Sequence, residues 1–123
     1  MVKKTRTIGI DYSLNSPAVC INDEEEVDIT KCKFHFLTTK KKYQGNIAKG
    51  VYGDEYPLYK TPEERFDGIS NWVFSLIKDI HSYVYIEGYS YGSKGQGLFQ
   101  IAENGGLLKH KLWKSPKIFF KPQ

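Results

Sequence analysis

Apolar residues fall first in short blocks and later in two long helical stripes. Thr7-Ile8-Gly9-Ile10 is a brief apolar run that ends in Asp11, and Ala18-Val19-Cys20-Ile21 is a second, with Asn15-Ser16-Pro17 as the turn between them. This spacing predicts two strands of a hairpin. Asp23-Glu24-Glu25-Glu26 is too charged for a core and reads as a solvated turn. From Lys31 to Leu37, Cys32, Phe34 and Phe36 alternate with polar partners except at Leu37, which predicts a third, half-buried strand.

From Thr38 to Lys60 the chain turns Lys-rich, Gly-rich and Tyr-rich, with Lys40-Lys41-Lys42-Tyr43 and Gly50-Val51-Tyr52-Gly53, and shows no clear periodicity. A segment of about two dozen residues is longer than a simple connection needs, so residues 39–60 are expected to form a basic loop insertion or flap. Its basic and aromatic mix suits a nucleic-acid backbone and unstacked bases. Thr61-Pro62-Glu63-Glu64 is a helix start, with Thr as N-cap, Pro at the first helical position and Glu three residues after the cap. Phe66, Ile69, Val73, Leu76, Ile77 and Ile80 then keep helical spacing. Tyr83-Val84-Tyr85-Ile86 reads as a central parallel strand and also ends in an acid, Glu87.

A Gly-rich loop leads to a second helical pattern through Leu98, Ile101, Ala102, Leu108 and Leu112, interrupted by Gly105-Gly106. Two helical glycines cost about 1 kcal/mol each relative to alanine, so close approach of another backbone is expected there. Lys117-Ile118-Phe119-Phe120 is a candidate last strand. The order strand, strand, strand, helix, strand, helix, strand fits an α/β sheet whose first and fourth strands lie side by side and parallel, joined by a right-handed crossover. Asp11 and Glu87 are then neighbours. Two carboxylates packed together favour a cation between them, and Mg²⁺ or Mn²⁺ is the hard ion that oxygen ligands select. Phosphodiester hydrolysis is the chemistry such a site performs.

Composition narrows the alternatives. With 123 residues the chain suits one domain, and 40% hydrophobic with 15% aromatic residues is enough for a core. Eighteen Lys and Arg against fourteen Asp and Glu give +4, which favours a polyanionic partner. The run behind the basic start is too short for a signal peptide and nothing approaches the roughly 20 apolar residues of a membrane span, so a cytoplasmic protein is expected. Cys20 and Cys32 are expected as two thiols on neighbouring strands.

Ile8-Gly9-Ile10-Asp11-Tyr12-Ser13 followed by a second strand, and Val84-Tyr85-Ile86-Glu87 followed by a loop and a helix with Gly105-Gly106, resemble the RuvC family of Holliday junction resolvases, most closely its phage-type branch. The resemblance implies a ribonuclease-H-like mixed sheet and a Mg²⁺- or Mn²⁺-dependent endonuclease acting on branched DNA as a homodimer, with no small-molecule cofactor. Carried onto this sequence, Asp11 and Glu87 become the catalytic metal ligands. Tyr89, Tyr91 and Lys94 fall in the segment that enters the junction, and Lys94, Lys109, Lys111 and Lys114 become phosphate contacts. Relatives of this kind carry further acids on a C-terminal helix, and the chain ends at Gln123 before one, so the ligand set is expected to be incomplete. Asp54, Asp67 and Glu103 are candidates to complete it. Two other classes remain: a non-catalytic branched-DNA-binding module, and a nucleotide-handling relative using Ser13 and Asn15 near phosphates.

Overall fold

Ile and Val at every second position set the centre of the sheet. The computed structural model describes residues 6–24, 26, 28–77, 81–87, 96–115 and 117–122. In β1 (Arg6–Asp11) Ile8 and Ile10 are buried while Gly9 and Asp11 are exposed. In β2 (Ala18–Asn22) Val19 and Ile21 face the same way as Ile10 and Ile8, which they oppose in register. The remaining elements are β3 (Lys33–Thr38), β4 (Gly45–Ala48), β5 (Val51–Glu55), α1 (Pro62–Ile77), β6 (Ser82–Ile86), α2 (Gln96–Lys114) and β7 (Ile118–Pro122), with short 3-10 turns at Ile29–Lys31 and Lys41–Tyr43.

The strands form one sheet in the order β4-β5-β3-β2-β1-β6-β7. β1 pairs parallel with β6, β6 with β7 and β3 with β5, whereas β1–β2, β2–β3 and β4–β5 are antiparallel. The crossovers through α1 and α2 both step across the sheet in the same direction, so right-handed connection places both helices on one face. A single core confirms this: Ile8, Ile10, Val19, Ile21, Val84, Ile86 and Ile118 from the sheet meet Val73 and Ile77 of α1 and Leu108 and Leu112 of α2. Residues of opposite parity, Thr7, Gly9 and Asp11 among them, look to the other face.

Helix α1 begins as its sequence predicts. The Glu64 N–H donates to the Thr61 hydroxyl (3.1 Å), and the Glu64 carboxylate accepts from the Lys60 N–H (3.1 Å), one residue before the cap. Phe66, Ile69, Val73 and Ile77 are buried, Leu76 is half-buried, and Ile80 lies outside the described residues.

Two expectations are corrected. Residues 39–60 are not simply a loop, for they carry β4 and β5, which widen the sheet beyond β3. Their strand character is hidden because every residue of β4 is exposed and Gly45 and Gly50 bend the backbone at φ 92° and 73°. Gly50 also returns to the sheet, its carbonyl accepting from the Phe34 N–H at 2.7 Å. Strand β3 is turned over relative to its apparent alternation. Leu37 is buried under α1, Phe34 and Phe36 are half-buried on the opposite parity, and Cys32 precedes the strand. His35 faces inward because it has partners there, stacking on Tyr52 at 5.0 Å and meeting Asp54 at 3.4 Å. Asp54 in turn accepts from the Trp72 indole at 2.8 Å, which ties β5 to α1.

Candidate functional site

The parallel register that puts Ile10 opposite Ile86 brings the following residues together, and the Glu87 N–H donates to the Ile10 carbonyl at 3.1 Å. Asp11 and Glu87 therefore stand side by side at the C-terminal ends of adjacent strands, one strand spacing or about 5 Å apart at the backbone. Both are exposed and share the parity that points away from the helices. Hydrogen bonding to the Asp11 carboxyl, followed by its negative charge, raises the Glu87 pKa above the usual value. The pair holds a proton more readily than separate carboxylates do, and a cation in the proton's place relieves the same repulsion.

The loop after Asp11 is held by side chains of α1 and of the segment before it. The Arg65 guanidinium donates to the Leu14 carbonyl (3.2 Å), to Asn15 Oδ1 (2.8 Å) and to the Tyr56 hydroxyl (2.7 Å), and that hydroxyl donates to the same Leu14 carbonyl (2.5 Å). The Arg65 guanidinium also lies over the Tyr56 and Tyr59 rings, 5.6 and 4.9 Å from their centres. Sequence reasoning missed Arg65 and Tyr56, because an Arg in the first turn of a helix carries no signal of a partner fifty residues away. Among the described residues the adjoining Tyr12 hydroxyl is buried without a hydrogen-bond partner, and burial raises its pKa further out of the physiological range.

The other expected site residues lie elsewhere. Among the described residues no third His, Cys, Asp or Glu joins Asp11 and Glu87. Asp67 binds Lys111 (3.0 Å) and Asn71 (3.2 Å), Asp54 is engaged with Trp72, and Glu103 is exposed on α2. Ser13 and Asn15 serve the loop, Ser13 Oγ accepting from the Ser16 N–H at 3.0 Å. Tyr89, Tyr91 and Lys94 lie outside the described residues.

Lys111 is not available to a phosphate. Its ammonium donates to Asp67, Ser70 (2.7 Å) and Asn71 (2.7 Å), which uses all three protons to clamp α2 to α1. Lys109 is half-buried with a partner inside the molecule, and Lys114 is exposed. Because β6 and β7 are parallel, α2 carries the chain back to the opposite end of the sheet, about 28 Å for its 19 residues. Its basic C-terminus is thus remote from Asp11 and Glu87, where it suits the helix dipole. Gly106 is exposed with nothing among the described residues within 4 Å of where a Cβ would stand, so no described backbone explains it, while Gly105 is buried.

The cysteines are free thiols, and Cys20 has its pKa pushed up to about 11, chiefly by burial and then by Cys32 beside it. Among the described residues no helix is long and apolar enough to cross a membrane.

No protein-family model and no curated protein matches this chain. Among solved structures it is similar to the yeast mitochondrial Holliday junction resolvase Ydc2, with 12% identity and a TM-score of 0.51 over 99% of this chain and 51% of that one. It is also similar to Thermus thermophilus RuvC, with 12% identity and a TM-score of 0.47 over 96% of this chain and 64% of that one. At this identity the likeness is one of fold. The chain spans about half the length of the yeast resolvase, and its mixed sheet with two helices is the ribonuclease-H-like fold that such resolvases share.

Proposed function

We propose that this chain is a metal-dependent, structure-specific endonuclease that hydrolyses phosphodiesters in branched DNA, with its closer likeness to the phage-type resolvases. The observation that carries this reading is the Asp11–Glu87 pair at adjacent strand ends on the helix-free parity of a resolvase-like sheet. The donor set fits a hard divalent cation: two adjacent carboxylates, of which Glu87 has its proton affinity raised by Asp11, and neither forms an ion pair with a Lys or Arg among the described residues. Asp11 and Glu87 would hold Mg²⁺ or Mn²⁺, which would supply activation of a water and neutralisation of charge on the leaving oxygen. Asp11 and Glu87 set where that charge stands against the sheet, and Arg65 fixes the path of the chain leaving Asp11. Tyr89, Tyr91 and Lys94, directly after Glu87 in sequence, are proposed to enter the junction.

The proposed active form is a homodimer, since a four-way junction has two-fold symmetry. The outward stripe of α2, with Phe99 66% and Trp113 75% exposed and Gly106 open between them, is the surface proposed for it. A second reading, a branched-DNA-binding module without catalysis, is favoured by one observation: only two carboxylates come together among the described residues.

Cleavage of a labelled four-way junction beside linear duplex, with Mg²⁺ or Mn²⁺, separates the readings. Symmetric cuts by the wild type, reduced about a hundredfold or more in both Asp11→Asn and Glu87→Gln, are expected, a loss of the size seen when a charge-stabilising group is removed. Tight junction binding without metal-dependent cuts assigns the protein to the binding-module class instead.

A further inference from the structure

The charge of this protein is unevenly placed. Residues 39–50 contain Lys40, Lys41, Lys42 and Lys49 and no acid, so this segment alone carries +4, the net charge of the whole chain, and the other residues balance at fourteen of each sign. All four lysines are exposed, and no described carboxylate forms an ion pair with them. Three of the four occupy one turn. Lys40 N–H donates to Thr38 Oγ1 (3.1 Å), Tyr43 N–H to the Lys40 carbonyl (3.0 Å) and Gln44 N–H to the Lys41 carbonyl (3.1 Å). The ammonium groups of Lys42 and Lys40 lie 4.9 and 5.9 Å from the centre of the Tyr43 ring. The turn crosses the sheet over Gly53, where a Cβ would coincide with the Tyr43 carbonyl.

Topology places this turn relative to the carboxylates. β3 is antiparallel to β2 and β2 to β1, so β3 runs with β1 and its C-terminal end, Thr38, is at the Asp11–Glu87 end of the sheet. The turn leads from there across β5 to β4. Strand spacing of about 4.8 Å sets β3 two positions and β4 four positions from β1, so the lysines lie about 10 to 19 Å along the sheet end from Asp11. With one phosphate about every 3.4 Å along a DNA strand, that span is about three to six nucleotides.

We infer that the Lys40–Lys41–Lys42 turn grips the phosphodiester backbone of a DNA arm about three to six nucleotides from the bond at Asp11 and Glu87. The inference rests on the nuclease reading for the position of that bond. It also replaces the basic end of α2, which faces the wrong end of the sheet, with a cluster that shares the carboxylates' end.

The test compares two charge-matched triple variants of the full chain. Lys40→Gln/Lys41→Gln/Lys42→Gln removes the turn, and Lys31→Gln/Lys33→Gln/Lys49→Gln removes three exposed lysines at the other end of the same strands. Binding of a fluorescent four-way junction is followed by anisotropy in metal-free buffer between about 50 and 200 mM salt. The turn variant is expected to lose about 2.7 from the slope of log affinity against log salt, so that this fourfold rise in salt weakens the wild type about 40-fold more than the variant. The far-end variant is expected to lose less than about 1. Equal losses in the two variants, an unchanged slope in the turn variant, or a wild type that binds no DNA overturns the inference. A wild type that cuts junctions while the turn variant keeps its slope leaves the nuclease reading standing and removes this one. A wild type that binds through the turn and never cuts removes the nuclease reading, and with it the distance to a cut bond, and leaves the turn as the backbone grip.

Discussion

The proton on Glu87 sets the behaviour of the paired acids. Its pKa in the folded chain lies above the usual carboxyl value because Asp11 is beside it. A carboxyl with a raised folded-state pKa binds its proton more tightly when folded, so its contribution favours folding at low pH and is lost as pH rises through the raised value. At neutral pH without metal, the ionised pair therefore opposes folding, weakly, since both residues are exposed. Asp11→Asn and Glu87→Gln are accordingly expected to melt at or slightly above the wild-type temperature in EDTA at pH 7. Added Mg²⁺ is expected to raise the wild-type melting temperature and leave both variants unmoved, since a ligand stabilises only the state that binds it. Scanning calorimetry with and without Mg²⁺ checks both; variants that melt well below the wild type in EDTA would show that the pair is instead a structural contact. These two acids were legible in the sequence because each ends an apolar run. Arg65 and Tyr56, which hold the loop beyond Asp11, were not, since their contacts join residues 14 and 15 to residues 56 and 65.

At the scale of elements, local chemistry foretold α1 and hid the β4–β5 hairpin. A cap hydroxyl, a proline and a carboxylate act within a few residues of each other, and Thr61, Pro62 and Glu64 do so as read. The hairpin has no apolar face of its own, and its position comes from partners distant in sequence: His35 for Tyr52, Trp72 for Asp54, and the Tyr43 carbonyl for Gly53. Gly53→Ala is thus expected to destabilise the protein by about 1–3 kcal/mol, as overpacking against backbone that cannot yield cheaply. Urea denaturation should show a lowered midpoint with little change in slope. Stability equal to the wild type would mean that the Lys turn does not rest on Gly53. The same competition explains β3, where a polar His35 takes the inward position because aromatic and carboxylate partners receive it and the half-buried Phe34 and Phe36 take the other parity.

For the molecule as a whole, one core binds the central strands to both helices, and Leu108 and Leu112 of α2 meet the same sheet residues as Val73 and Ile77 of α1. Leu108→Ala, at a position with no exposure, is expected to cost about 2–5 kcal/mol. With a shared core the loss should appear equally in far-ultraviolet circular dichroism and in tryptophan fluorescence, for which the partly buried Trp72 is a probe. Separate transitions in the two signals would show that α2 unfolds by itself. The sequence by itself determined which segments are helix and central strand and that Asp11 and Glu87 would end neighbouring strands, because apolar periodicity, capping and the right-handed crossover are local or near-local rules. Only the tertiary structure decided that both helices share one face, that β4 and β5 widen the sheet, that Lys111 is spent on α1, and that Lys40, Lys41 and Lys42 stand exposed at the carboxylates' end. Each of these depends on pairings between residues far apart in the chain, where a side chain's role is set by the partner that folding delivers to it.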